Sequence, residues 1–327
     1  MAARIEPASR VAKLELVDLR RLASMQLDAL LEDEVRVWRE ELDWDFNKSA
    51  ELVRRFVDLR GLSGCALMDG SEAVGYCYYV IEEQKGLIGD LYLTQQFQTP
   101  DNEDLLLRTA LDAMISSGQI TRVEAQLILL GERHRETAPH ARYLASFERN
   151  FMALDLRRSR GLEPADLRRR IHLERWASYH QEGAAQLIAA AYEGHIDGQI
   201  NDQYRSIEGA RRFLYNIVQF PGCGAFFQPA SFVAFDMETG RLCGISLTSR
   251  ISASAGHITQ VCVSPAVRGT GTGYELLRHS TGMLREHGMS SVSLTVTAAN
   301  SSAVALYERM GFRTIRKFQA LVWEGFA

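Results

Sequence analysis

The chain has 327 residues, and at about 150 residues per domain that length favours two domains, each able to bury its own core. Apolar residues make up 46% and charged residues 24%, with only 7 prolines, a balance that excludes a largely disordered or collagen-like chain. Lys and Arg number 37 against 41 Asp and Glu, so a net charge of -4 leaves no overall basic field to draw nucleic acid or anionic membrane.

In chain order, apolar residues at helical spacing predict a helix over Val17–Trp44 and a second over Ser49–Leu59, stopped by Gly61. Three β-rich runs, Gly64–Met68, Val74–Val80 and Gly86–Leu93, read as a meander. A helix over Glu103–Ser116, a strand over Arg122–Leu130 and a last helix and strand within Pro139–Leu156 complete an α+β half. The second half repeats the order. Helices at Trp176–Tyr192 and Ser206–Gln219 precede a hairpin over Ser231–Ser249 and a strand at His257–Val263. Then come a helix at Gly273–His287, a strand at Val292–Thr297, a helix at Ser301–Met310 and an extended tail from Arg313 to Val322.

Sliding the chain by about 170 residues pairs Gly75 with Gly244, Gly86 with Gly256 and Gly118 with Gly288, so the sequence reads as a tandem repeat. A connector fits at Arg157–Arg170, giving domains 1–160 and 161–327. Five scattered cysteines without a C-x-x-C pair argue against a disulfide scaffold or a metal site, so no metal is expected. Met1–Arg21 lacks an apolar core of the secretory type, and no apolar run reaches the roughly 18 residues of a span, which predicts a cytoplasmic protein without a membrane partner. Oligomeric state is left open, because a duplicated chain can mimic a dimer internally.

The chemistry concentrates where the strand ending at Val263 passes through Arg268, Gly269, Thr270, Gly271, Thr272 and Gly273 directly into a helix. Such a turn aims backbone N–H groups and a positive helix end at one spot, a site for pyrophosphate. A dinucleotide fingerprint fails, because Tyr274 and Leu276 stand where G-x-G-x-x-G needs its third glycine, and no Lys is present for a P-loop.

The stretch resembles the acyl-CoA loop of the GNAT superfamily of N-acetyltransferases, whose R/Q-x-x-G-x-G/A motif is matched by Arg268, Gly271 and Gly273. About thirty residues on, Asn300 to Phe312 resemble the closing N-x-x-A-x-x-L-Y-x-x-x-G-F segment of that family. The resemblance implies two tandem GNAT-like domains, each a mixed, mostly antiparallel sheet flanked by helices. It also implies acetyl-CoA as acyl donor and direct transfer of acetyl to a primary amine of a small molecule or peptide. The cofactor would lie along Val261, Cys262 and Val263, its pyrophosphate on the amides from Arg268 to Gly273 and its arm near Asn300 and Tyr307. The Cys262 side chain alternates to the opposite strand face and reads as core.

By the same resemblance Tyr307 is the proton donor or sulfur-binding group, and His257 stands where a general base belongs, with Glu193, His195 and Gln260 as rivals. Glu193, His195, Asp197 and Tyr204, with Asp202 and Tyr192 beside them, are the candidate acceptor-binding residues. The first half carries Gln98, Asp101 and Glu103 where the second has Arg268, Gly271 and Gly273, and Phe147 is matched to Tyr307, so the first copy reads as degenerate, buttressing the active copy or helping to shape its acceptor cleft. Tandem copies also occur in mycothiol-synthase-like members. A non-catalytic acyl-CoA sensor or interaction scaffold is the reading from another class.

Overall fold

The structure, a computed structural model, describes residues 14–130, 138–158, 161–220 and 222–326. The sequence-predicted connector is covered only in part, because Ser159 and Arg160 lie outside the described residues, as do the first thirteen residues.

Leu14–Asp18 forms strand β1, paired antiparallel with residues 65–69, whereas the spacing predicts a helix from Val17. A five-residue edge strand is shorter than the window over which helical spacing is counted, and the Leu-rich stretch after it masked the alternation. Helix α1 (Asp28–Leu42) and helix α2 (Asn47–Asp58) then lead into the meander β2 (Ser63–Asp69), β3 (Glu72–Glu82) and β4 (Lys85–Leu93). Helix α3 (Pro100–Ile115) crosses to β5 (Arg122–Gln126), parallel to β4.

Among the described residues no α-helix lies within 139–156, where the sequence predicts a last helix before a strand. A three-residue 3-10 turn, Ala141–Tyr143, precedes the long strand β6 (Leu144–Asp155). Phe147 therefore sits on a strand, and its pairing with the helical Tyr307 is corrected. The physical reason is that β6 buries both of its faces, Phe151 in the core under α1 and α2 and Met152 and Leu154 in another core on the opposite face, so its apolar residues run together without a clean two-residue period.

The second half opens with β7 (Ile171–Arg175), α4 (Gln181–Ala191), the single turn α5 (Asp197–Ile200) and α6 (Ile207–Gln219). After the short β8 (Ala225–Phe226) come β9 (Phe232–Asp236), β10 (Leu242–Arg250) and β11 (Ala255–Val263). Helix α7 (Thr272–Glu286), β12 (Ser291–Thr297), α8 (Ser301–Arg309) and β13 (Arg313–Glu324) complete the chain. The repeat is physical. Gly86 leaves room for Met114 of α3, and Gly256 leaves room for Leu284 of α7, each at the same place under its crossover helix.

All thirteen strands join one sheet, in the order β1-β2-β3-β4-β5-β13-β6-β12-β11-β10-β9-β7, with β8 on β10. The last strands of the two halves are exchanged: β13 lies between β5 and β6, and β6 lies between β13 and β12. Leu321 and Trp323 of β13 accordingly bury in the core of the first half, and Met152 and Leu154 of β6 in that of the second. Along β2, Ala66 and Met68 face α1 and α2 while Cys65 and Leu67 face α3. In the second half Ile245 and Leu247 face α4 and α6, while Val292, Leu294 and Val296 face α7 and α8. Among the described residues no helix is long and apolar enough to cross a membrane.

Candidate active site

Strands β11 and β12 pair only from Ala255↔Ser291 to Ile258↔Leu294 and then diverge, and β11 carries a bulge opposite Leu247 and Thr248. β4 and β5 likewise pair from Lys85↔Arg122 to Ile88↔Ala125 and then separate. Diverging parallel strands leave main-chain donors and acceptors without ladder partners, an edge on which an extended ligand can pair. Residues of both openings line one cavity of about 710 Å³. Trp38, Trp44, Phe46 and Tyr78 come to it from the first half, and Tyr192, Tyr204, His257 and Tyr307 from the second.

Beyond Val263 the backbone turns through Gly269 at φ 73° and Gly271 at φ 93°, and Gly271 is the N-cap of α7. The first amides of a helix have no intrahelical acceptor, and here no capping side chain takes them, so they and the helix dipole remain available to an anion. A Cβ on Gly273 would lie 3.8 Å from Val263 and 3.9 Å from Leu306, at the mouth of the strand opening. The loop is braced from outside, with the Arg168 amide donating to the Thr270 carbonyl at 3.2 Å and the Thr270 hydroxyl to that of Val267 at 2.7 Å. Arg268 donates to the Ala191 carbonyl at the end of α4, 2.6 Å away. A diphosphate on the amides and an extended arm in the opening fit this cradle.

The corresponding turn of the first half is closed to an anion. Thr99 caps α3 by accepting from the Asn102 amide at 3.3 Å, Pro100 has no N–H, and Asp101 and Glu103 fill the first turn.

The sequence-predicted residues fall into three groups. Val261, His257, Asp197, Tyr204, Asn300 and Tyr307 line the cavity. Asn300 caps α8 by accepting from the Ala303 amide, and its Nδ2 lies 3.4 Å from His195 Nε2. Tyr192 and Tyr204 stack at 4.3 Å and clasp Gln260, which donates to Tyr192 at 3.0 Å and accepts from Tyr204 at 3.3 Å. Cys262 is buried among the residues of α4 and α6, where burial pushes its thiol up to about 12. Glu193 is exposed and lies apart from the lining, and Asp202 is paired with Lys85 of the first half at 2.5 Å.

Sequence reasoning allowed the first half a share in the acceptor cleft but named none of the side chains that line it. Asp90 lies on the cavity wall, where the 170-residue offset sets it against Gln260, and that offset was the signal available. Behind it, the Tyr76 hydroxyl is 2.9 Å from Glu34 and 3.0 Å from Asp90. One phenol has one proton for two carboxyl oxygens, so a second proton must sit on the acid pair. Burial, and then the charge of Asp90, drive Glu34 well above the usual carboxyl range. Arg149, on β6, is the other residue missed.

The acetyltransferase (GNAT) family pattern matches residues 162–312. Those residues are a GNAT acetyltransferase domain. Over 93 residues the chain is 41% identical to a mycothiol acetyltransferase of Mycolicibacterium gilvum, an alignment covering 27% of this chain and 31% of that protein. The chain thus spans about a third of the length of the curated relatives it matches. A GCN5-related N-acetyltransferase from Sphaerobacter thermophilus superposes with a TM-score of 0.67 at 16% identity, covering 95% of each chain. A tandem GNAT protein from the clavulanic acid biosynthesis pathway gives 0.60 at 17% identity, over 95% of this chain and 98% of that one. The fold is therefore that of two tandem GNAT-like units.

Within the GNAT domain His257 is buried between Trp44, at 5.2 Å, and Phe151, at 5.8 Å. Its Nδ1 is 2.8 Å from Ser293 Oγ, and that hydroxyl donates onward to the Gly256 carbonyl at 3.4 Å. Nδ1–H is then the donor to Ser293, which leaves the lone pair on Nε2. Burial lowers the imidazole from 6.5 to about 4, so the ring is neutral at pH 7. Between those two values the unfolded chain binds the proton and the folded chain does not. Stability is therefore full above pH 6.5 and falls by up to about 3 kcal/mol as pH drops toward 4. Glu34, Asp90 and Glu124 are shifted upward by burial and contribute the opposite slope. Urea unfolding across this range should show wild type losing its advantage over His257→Gln as pH falls; a constant difference would mean that the ring titrates as if exposed.

Proposed function

We propose that this protein is an N-acetyltransferase that moves acetyl from acetyl-CoA directly to a primary amine of a small molecule or peptide, with both substrates bound at once. The observation that carries this reading is the meeting of an anion-ready loop, a strand opening and a cavity wall bearing Tyr307 and His257. Acetyl-CoA supplies a thioester carbonyl open to attack by a neutral amine. Within the loop from Arg268 to Gly273 the amides of Gly269, Gly271, Thr272 and Gly273 hold the diphosphate, since those of Arg268 and Thr270 already donate to the Pro265 and Val267 carbonyls. The free edges of Val261 and Val263 pair with the arm, and Asn300 offers Nδ2 while its Oδ1 caps α8. His257 Nε2 accepts the proton of the amine, directly or through water, and Tyr307 returns a proton to the departing sulfur.

Residues 1–160 serve, in this reading, as a degenerate copy. Its helix terminus no longer suits a cofactor, and its aromatic and acidic side chains wall the acceptor. The match to proteins named mycothiol acetyltransferase supports a second reading, in which the acceptor is related to mycothiol. Calorimetric titration of acetyl-CoA into the whole chain is expected to give one site. Two sites would overturn the degenerate-copy reading, and no binding would leave a scaffold of the same shape.

A further inference from the structure

Besides His257, four acidic or basic side chains line the shared cavity: Asp90, Glu124, Asp197 and Arg149. Each carboxylate has a partner within the protein. Asp90 takes the Leu91 amide at 2.8 Å and shares Tyr76 with Glu34. Glu124 accepts from Arg122 at 2.6 Å and from the Asp202 amide at 3.0 Å. Asp197 accepts from the Thr297 hydroxyl. Arg149 differs: among the described residues its guanidinium has no hydrogen-bond or ion-pair partner, and its Nε is shut off from water with its donor unused. Buried polar groups in native proteins are nearly always paired, and a guanidinium offers a planar fork matched to a carboxylate.

The strand exchange puts this cation where the reaction would run. Arg149 pairs with Thr297 of β12 and with Phe318 of β13, so the three side chains share one face of the sheet. Its charge is felt by the phenols of both Tyr204 and Tyr307, opposing their upward shift. Two residues along the strand on the same face, Phe151 continues to Trp44 at 6.5 Å, and Trp44 to Trp38 at 5.4 Å. A cation thus adjoins an aromatic wall. The arm and thioester of acetyl-CoA are uncharged, and its phosphates belong at the α7 terminus, so a donor in the opening brings no anion to Arg149.

Resting on the acetyltransferase reading, we infer that the acceptor is an amine that also carries a carboxylate, held by Arg149, with an apolar or aromatic body against Trp38, Trp44 and Phe46. An apolar α-amino acid has this chemistry.

The test uses matched pairs: phenylalanine, leucine and methionine, each beside its carboxamide, titrated into the whole protein by calorimetry. In wild type the acids should bind about 10-fold or more tighter than their carboxamides. Arg149→Gln should bring that ratio to about one, and Arg149→Lys, a point charge without the fork, should keep an intermediate ratio. The wild-type comparison needs no variant to fold. No acid preference in wild type, or a ratio unchanged in Arg149→Gln, overturns the inference. CoA release measured on the same pairs separates the two readings. An acid bound through Arg149 but never acetylated sinks the transferase and leaves the site; acetylated carboxamides with acids no better sink the site and leave the transferase.

Discussion

Tyr307→Phe is expected to lower kcat by about 10²- to 10⁴-fold while acetyl-CoA affinity stays within about twofold. The ring is buried on the cavity wall and packs 6.0 Å from Phe312, so Phe keeps the packing of α8. Among the described residues the hydroxyl has no protein partner that its loss would strand, which separates chemistry from stability. Burial raises the phenol above its usual range, with Asp197 adding to the rise and Arg149 opposing it. It therefore stays protonated at neutral pH, as a proton donor to sulfur must. Steady-state turnover beside calorimetric affinity checks the split. Unchanged kcat would remove Tyr307 from the reaction, and a parallel loss of affinity would make it a binding residue.

What the sequence disclosed depended on how locally each feature is encoded. The loop from Arg268 to Gly273 was legible because a strand, a positive-φ turn and a helix start are specified by neighbouring residues. Asn300 and Tyr307 were legible for the same reason, since one short helix carries both. The exchange of β6 and β13 was not, because nothing in either strand says which neighbour it will choose. Phe147 reads as helical for a local reason, because F-E-R-N at 147–150 matches Y-E-R-M at 307–310 although one lies on a strand and the other on a helix. Arg149 was missed with it: a lone arginine in an apolar run gains meaning only once Thr297 and Phe318 are known to flank it. The aromatic wall of Trp38, Trp44 and Phe46 reads as ordinary core at helical spacing, and part of it is core. Only the cavity distinguishes the residues that also face a ligand.

The exchange also bears on why a copy without a usable anion site is retained. Each sheet half is completed by a strand of the other, so neither closes its core alone. Lys85, Arg122 and Glu124 of the first half tie to Asp202 and Glu324 of the second across the same seam. Loss of cofactor binding in one copy leaves this framework intact, because the anion site resides in a few residues of one loop.

That independence makes Gly273→Glu the sharper test of the cofactor site. The substitution installs in the second half the acidic residue, Glu103, that the first half carries at the equivalent turn. Gly273 is not among the glycines at positive φ, and an added Cβ meets only ordinary contacts with Val263 and Leu306. A carboxylate in the first turn of α7 also favours the helix dipole by about 0.3–1 kcal/mol, so the fold should be as stable as wild type or slightly more. Toward a diphosphate the same charge is repulsive, worth about 4 kcal/mol at 4 Å in a surface-like dielectric, and acetyl-CoA affinity should fall by at least about 100-fold. Gly271→Asp should abolish binding too, but at a cost to stability, because Gly271 sits at φ 93° and its Cβ would come within 3.1 Å of Leu167. Thermal unfolding beside calorimetry distinguishes the two variants. If Gly273→Glu binds acetyl-CoA like wild type while remaining folded, the diphosphate does not sit at this helix terminus and the cofactor assignment fails.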